Sequence, residues 1–160
     1  MENNLFLAWA AGFFDGEGSV IIELSKSEKC KAGYRTSLHA TVTQTSLPCL
    51  HKFEETFGGS IKTYQHTCPN STRWAVQYTW SARNEKAIEF LKAIRPYAVV
   101  KADQIDTALE YPMYSPDGRK YGNKSNPIPS DVWGKRLDLR LKLQDIRANM
   151  KTKAEDRRGQ

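Results

Sequence analysis

Residues 10–18 read Ala-Ala-Gly-Phe-Phe-Asp-Gly-Glu-Gly. They close an apolar run, residues 5–14 (LFLAWAAGFF), preceded by Asn4, a residue type suited to capping a helix start. A helix apolar on all sides must be buried, and a small domain rarely covers every side of one helix with its own chain. Ala8, Ala11 and Gly12 fall on adjoining helical positions and make a small-residue face that a second backbone can approach closely. A second copy of the chain is the natural source of that backbone, with Ala8, Ala11, Gly12 and Asp15 expected at the contact. The helix then runs into Gly16 and Gly18, which break it, interleaved with the acids Asp15 and Glu17. Unpaired carbonyls give a helix C-terminus partial negative charge, so acids there are unfavourable unless something cationic joins them.

Working outward, the hydrophobic period drops to two after Gly18. Residues 19–25 predict a strand, 26–33 a polar turn and 34–44 a long return strand, together a hairpin. Thr45, Ser46 and Pro48 open a helix carrying Leu50, Phe53 and Phe57, stopped by Gly58 and Gly59. A second hairpin is expected from residues 60–67 and 72–81, with its turn at 69–71. Asn84 caps a helix to about Ile94 that Pro96 ends, and another helix covers about 100–109. Residues 112–129, rich in Pro, Gly, Asn and Ser, predict a loop. The last helix, about 130–150, presents Val132, Trp133, Leu137, Leu141 and Ile146, and the tail 151–160 is expected to fray. The order gives an α+β chain, αββαββα with a four-stranded antiparallel sheet. A single domain is expected over 1–150, with a helical C-terminal extension from about 112.

The strands divide into two faces. Arg35, Ser37, His39 and Thr41 lie opposite Leu38, Ala40 and Val42 in the second strand. Lys62, Tyr64 and His66 share a face with Ser60 in the third, and Arg73, Gln77 and Thr79 oppose Trp74, Val76, Tyr78 and Trp80 in the fourth. The polar face thus offers hydrogen-bonding groups with few acids, as a β-ribbon reading base edges in the major groove requires. An ordinary solvated sheet face reads the same way.

Charge supports the nucleic-acid reading. The net charge is +6, yet residues 1–20 hold three acids and no base, whereas residues 119–160 hold twelve bases against five acids. A basic chain with one acidic spot suits a polyanion-binding surface around a cation-binding centre. Phosphate contacts are expected from Lys26, Lys29, Lys31, Lys124, Lys135 and Arg136. Hydrophobic residues make up 39%, and neither a membrane span nor a secretory leader is expected. Three cysteines without a CxxC pair fit a reducing intracellular setting better than a disulfide framework. Cys49-x-His51 and His66-x-Cys68 lack the paired spacing of a structural zinc site.

Residues 10–18 resemble the LAGLIDADG motif of homing endonucleases, with Glu17 where Asp is commoner and Ala10 where Leu is usual. The likeness extends over most of residues 5–110, and one motif per chain resembles the homodimeric, intron-encoded members. It implies a metal-dependent endonuclease that cuts both strands of a long, pseudo-palindromic duplex. It further implies Mg2+ held by Glu17 of each subunit and the Gly16 carbonyl, with Mn2+ able to substitute and Ca2+ supporting binding without cleavage. By the same resemblance Gln44, after Val42 and Thr43, orients active-site water. Lys101, after Arg95-Pro96-Tyr97, steadies transition-state charge. Close single-motif relatives often carry a basic residue just after the Gln, where this chain has Thr45-Ser46-Leu47-Pro48. Partners implied are double-stranded DNA and a second copy, with no membrane or small-molecule substrate. Two alternatives stay open: a maturase that binds intron RNA, and a DNA-binding regulator that has lost the chemistry.

Overall fold

A computed structural model of the chain describes residues 2–30, 33–64 and 76–156. Its elements run α1 (Glu2–Glu17), β1 (Gly18–Lys26), β2 (Tyr34–Gln44), α2 (Leu47–Phe57), β3 (Ser60–Tyr64), β4 (Gln77–Arg83), α3 (Glu85–Ile94), α4 (Ala102–Leu109) and α5 (Ser130–Asp156), with a 3₁₀ turn at Arg95–Tyr97. The four strands form one antiparallel sheet in the order β1-β2-β4-β3, so each hairpin contributes one inner and one outer strand. The α+β architecture expected from the order of elements is the one observed. The expected turn at 69–71 and the strand start at 72–75 lie outside the described residues.

Register follows the alternation in the sequence. Leu38, Ala40 and Val42 are buried, and they pair across to Ile22, Val20 and Gly18 on one side. On the other side, Ala40 and Val42 pair with Ala82 and Trp80 of β4. The helices cover this apolar face. Phe14 of α1, Phe53 of α2, Trp80 and Phe90 of α3 are wholly buried and interlock, with ring centroids 5.1 Å apart for Phe14–Phe90, 5.2 Å for Phe53–Trp80 and 5.0 Å for Trp80–Phe90. Aromatic rings at these separations in tilted or edge arrangements add to the burial of their own area. The Trp80 indole N–H donates to the Gly58 carbonyl at 2.8 Å, so the ring's one polar group is satisfied inside the core.

Several boundaries differ from expectation for physical reasons. Asn4 lies inside α1 and caps nothing. Asn84 stands at the start of α3 in a left-handed conformation (φ 52°), but its side-chain oxygen accepts from the Leu38 N–H and ties α3 to the sheet. Chain 151–156, expected to fray, continues α5. The buried stripe of α5 is also not the expected one. Arg136, Leu139 and Leu143 face inward, at the three- and four-residue spacing of one helix face, while Leu141 is 54% exposed. Among the described residues no helix is long and apolar enough to cross a membrane.

Candidate nuclease site and nucleic-acid interface

The two acids of the quoted stretch have separate fates. The Asp15 carboxylate accepts three backbone N–H groups, those of Val99 (2.7 Å), Val100 (3.0 Å) and Lys101 (2.9 Å). Lys101 is the N-cap of α4 and Val99 and Val100 lead into it, so none of these N–H groups has a partner within that helix. The Lys101 ammonium in turn donates to the Asp15 main-chain carbonyl. A cation at the C-terminal end of a helix offsets the partial charge of its carbonyls, and α1 has no base of its own in its last turn. Asp15, expected at the contact between two copies, also bonds within its own chain, to partners some 85 residues downstream.

Glu17, two residues on, is exposed, and no hydrogen bond or ion pair engages its carboxylate among the described residues. Gly16 is exposed as well, and a Cβ there would meet nothing within 4 Å. At Gly18 the chain turns directly from helix to strand, and a Cβ there would run into the Phe14 ring and lie 2.5 Å from the Phe14 carbonyl oxygen. Glycine at 18 thus lets β1 leave α1 without a loop, which fixes Glu17 at the junction. Gly18 pairs with Val42, so Gln44 sits two residues further along β2, roughly 7 Å on, at the same end of the sheet. The Gln44 side-chain oxygen accepts from the Thr45 N–H at 3.2 Å. Lys101 is half-buried. Desolvation pulls its pKa below the ordinary lysine value, and the nearby charges of Asp15 and Glu17 oppose that shift. Glu17 and Lys101, assigned together by resemblance, are electrostatic neighbours here.

Along α1, Leu5 (71% exposed), Ala8, Gly12 and Gly16 form an exposed strip, and nothing approaches a Cβ at Gly12 within 4 Å. Ala11, expected on that strip, is wholly buried in the chain's own core beside Ala10 and Phe14. Val99 (80% exposed) and Val100 (58% exposed) lie at the end of α1 that holds Glu17.

Among the described residues, the polar sheet face brings together side chains of all four strands. Arg35, Ser37, His39 and Thr41 of β2 align with Ser25, Glu23, Ile21 and Ser19 of β1. Thr43 of β2, Thr79 and Gln77 of β4, and Lys62 and Tyr64 of β3 continue the same face. Arg35, Lys62 and Tyr64 are exposed; Ser37, Thr41, Gln77 and Thr79 are half-buried. The Thr43 and Thr79 hydroxyls bond to each other at 2.8 Å, and Arg35 donates to Ser25 Oγ at 3.1 Å. His39 is a correction: it lies on this face but is 8% exposed, with Nε2 2.7 Å from Ser37 Oγ and 3.1 Å from a Glu23 oxygen. It supports its neighbours instead of meeting solvent. Sequence reasoning missed Glu23 and Arg83, although period two from Ser25 and Thr79 places both on the face.

Of the expected phosphate contacts, Lys26, Lys29, Lys124 and Lys135 are exposed. Arg136 is a second correction. It is 4% exposed, donates to the Pro112 carbonyl at 2.7 Å and to Thr36 Oγ1 at 3.4 Å, and stacks on the Tyr111 ring at 4.7 Å. Burial lowers its pKa, opposed by Tyr111 and Tyr121, and its job is to pin α5 to the chain before it. Lys31, His66 and Arg73 lie outside the described residues.

Among the described residues no group of three or more His, Cys, Asp and Glu side chains is placed to hold a metal ion. One free carboxylate beside helix-terminal carbonyls is an all-oxygen donor set, suited to a hard divalent cation but incomplete in one chain.

A search among curated proteins finds no match. In structure the chain is similar to the homing endonuclease I-CvuI, solved in complex with its target in the presence of calcium. The TM-score is 0.70 at 19% identity, over 91% of this chain and 83% of that one. It is similar to the archaeal intron-encoded homing endonuclease I-Vdi141I, solved with DNA (TM-score 0.66, 18% identity, 89% and 84% covered). It is also similar to the homing endonuclease I-TnaI (TM-score 0.64, 16% identity, 91% and 96% covered). The family model for LAGLIDADG endonucleases matches residues 10–109, from the quoted stretch through α4, and the chain belongs to that family.

Proposed function

We propose that two copies of this chain pair along the exposed strip of α1 and hydrolyse both strands of a long, pseudo-palindromic duplex. The observation that carries the reading is the division of labour at the α1 terminus: Asp15 is consumed by the start of α4, which leaves Glu17 free at the end of a helix with an uncovered small-residue strip. A twofold pairing along that strip brings two Glu17 carboxylates together and completes the donor set that one chain lacks. Glu17 of each copy and the adjacent helix-terminal carbonyl of Gly16 would hold divalent cations, with Mg2+ the expected ion. When bound, such cations supply Lewis-acid stabilisation and a more acidic water. Lys101, seated against α1 and half-desolvated, adds positive charge beside Glu17 where a phosphodiester gains negative charge. Gln44, at the same sheet end, has an amide able to orient a water. The polar sheet face lies along the major groove, with Lys26, Lys29, Lys124 and Lys135 on phosphates.

That I-CvuI and I-Vdi141I were solved with DNA supports a duplex as partner. The same reading places the chain as one domain working inside a cell or organelle. Light scattering on the purified chain, followed by cleavage of a plasmid library with Mg2+ or with EDTA, tests it. A dimer cutting rare sites only with metal is expected. A monomer, or cutting that persists in EDTA, overturns it.

A further inference from the structure

The polar face of the sheet carries a single acid among the described residues, Glu23 of β1. Cations lie on the strands to one side of it: Arg35 on β2, Arg83 on β4 and Lys62 on β3 all act on His39, its direct neighbour. Such a cluster attracts phosphate, and a carboxylate at its edge opposes that attraction. Yet the carboxylate is built in. One oxygen lies 3.1 Å from His39 Nε2, the same nitrogen is 2.7 Å from Ser37 Oγ, and Ser37 is the cross-strand partner of Glu23. The imidazole is almost covered while the Glu23 side chain remains 47% exposed. Its second oxygen makes no hydrogen bond or ion pair among the described residues. Burial and the Arg83 charge hold His39 below the ordinary imidazole pKa of 6.5, so at neutral pH it is an uncharged prop and leaves the Glu23 charge uncancelled.

We propose that Glu23 is a specificity-determining residue that selects cytosine, its free carboxylate oxygen accepting from the N4 amino group at one position of each half-site, with His39 as the positioning residue. The inference rests on the reading of the sheet face as a major-groove surface. In that groove cytosine shows an amino donor, adenine shows an amino donor beside the N7 acceptor, and guanine and thymine turn acceptors toward the protein. A carboxylate is repelled by acceptors as it is by phosphates, and cytosine is the one base that offers it a major-groove donor with no acceptor on the same base. A glutamine at the same place would both accept and donate, and so would pair with adenine N6 and N7.

The test is selection from a pool of randomised duplex DNA in Ca2+, with the wild-type chain, Glu23→Gln and Glu23→Ala, after thermal melts establish that all three fold. For wild type, one position per half-site is expected to favour cytosine about tenfold. Glu23→Ala loses that preference and Glu23→Gln moves it to adenine, with the other positions unchanged. Cytosine preference that survives in both variants overturns the proposal, as does loss of selection at every position in a folded variant, which would make Glu23 a part of the sheet's architecture. Failure of the wild-type chain to select any duplex overturns the major-groove reading, and the proposal with it.

Discussion

The carboxylate of Asp15 accepts the backbone N–H of Lys101 at 2.9 Å, and the Lys101 ammonium donates back to the Asp15 carbonyl. This reciprocal pair fastens the end of α1 to the start of α4, and so ties the helix end that carries Glu17 to the residue assigned to charge stabilisation. Removing the carboxylate strips three N–H groups of their acceptor. Asp15→Ala is expected to lower stability by about 0.5–2 kcal/mol, the range for losing a side-chain acceptor of N–H groups at a helix start. It should also slow cleavage although Glu17 is untouched, because the backbone of Lys101 loses its anchor on α1. Urea unfolding and plasmid cleavage on the same preparation check both; unchanged stability would contradict the capping role.

Two glycines of the quoted stretch predict opposite outcomes. At Gly18 a Cβ collides with Phe14, including its backbone carbonyl, so Gly18→Ala is expected to destabilise by about 1–3 kcal/mol. At Gly12 a Cβ meets nothing in the chain, and Gly12→Ala should leave the monomer as stable, or up to about 1 kcal/mol more so. Gly12→Leu keeps the fold and breaks the pair of copies. Sedimentation of a folded Gly12→Leu dimer at wild-type affinity would contradict pairing along α1.

Arg136 and Lys135 are neighbours in sequence with different tasks. Arg136→Met leaves the Pro112 carbonyl without its guanidinium donor and is expected to lower stability by about 1–3 kcal/mol. Lys135→Ala should leave stability alone and reduce the salt dependence of duplex binding by about one counterion. Denaturation curves and binding isotherms at several salt concentrations separate the two. The reverse pattern would return Arg136 to the DNA surface.

His39 gives a pH dependence with a definite sign. Burial first, then Arg83, lowers its folded pKa below 6.5, with Arg35 and Lys62 adding to the effect and Glu23 opposing it. Below pH 6.5 the unfolded chain therefore binds a proton that the folded chain resists. The contribution of His39 is complete above pH 6.5 and is lost as pH falls through the folded value, at a slope of at most about 1.4 kcal/mol per pH unit for one proton. His39→Gln should flatten this part of the stability curve, measured by urea unfolding between neutral and mildly acidic pH. An unchanged curve would contradict it.

What the sequence made legible is what local pattern controls. Alternation in 34–44 placed Leu38, Ala40 and Val42 in the core and Arg35, Ser37 and Thr41 on the polar face, since period two leaves a strand no other way to lie on a core. Glu17 and Lys101 came from the family resemblance, and the fold sets them near each other. The partners of Asp15 within its own chain were not legible, because they are distant in the sequence, beyond any local pattern. Arg136 was misread as a surface base, though its spacing to Leu139 and Leu143 carried the signal. His39 was placed on the right face, but its burial depends on Ser37, Glu23 and the neighbouring strand β4, which alternation within β2 does not reveal.

The most direct measurement is cleavage and binding of a selected duplex by Glu17→Gln beside wild type in Mg2+. An exposed side chain with no bond to the fold can be changed without unfolding it, so the variant is expected to bind the duplex as wild type does while cleavage falls by at least about 100-fold. Cutting by Glu17→Gln at near the wild-type rate would contradict the assignment of Glu17, and with it the two-chain site.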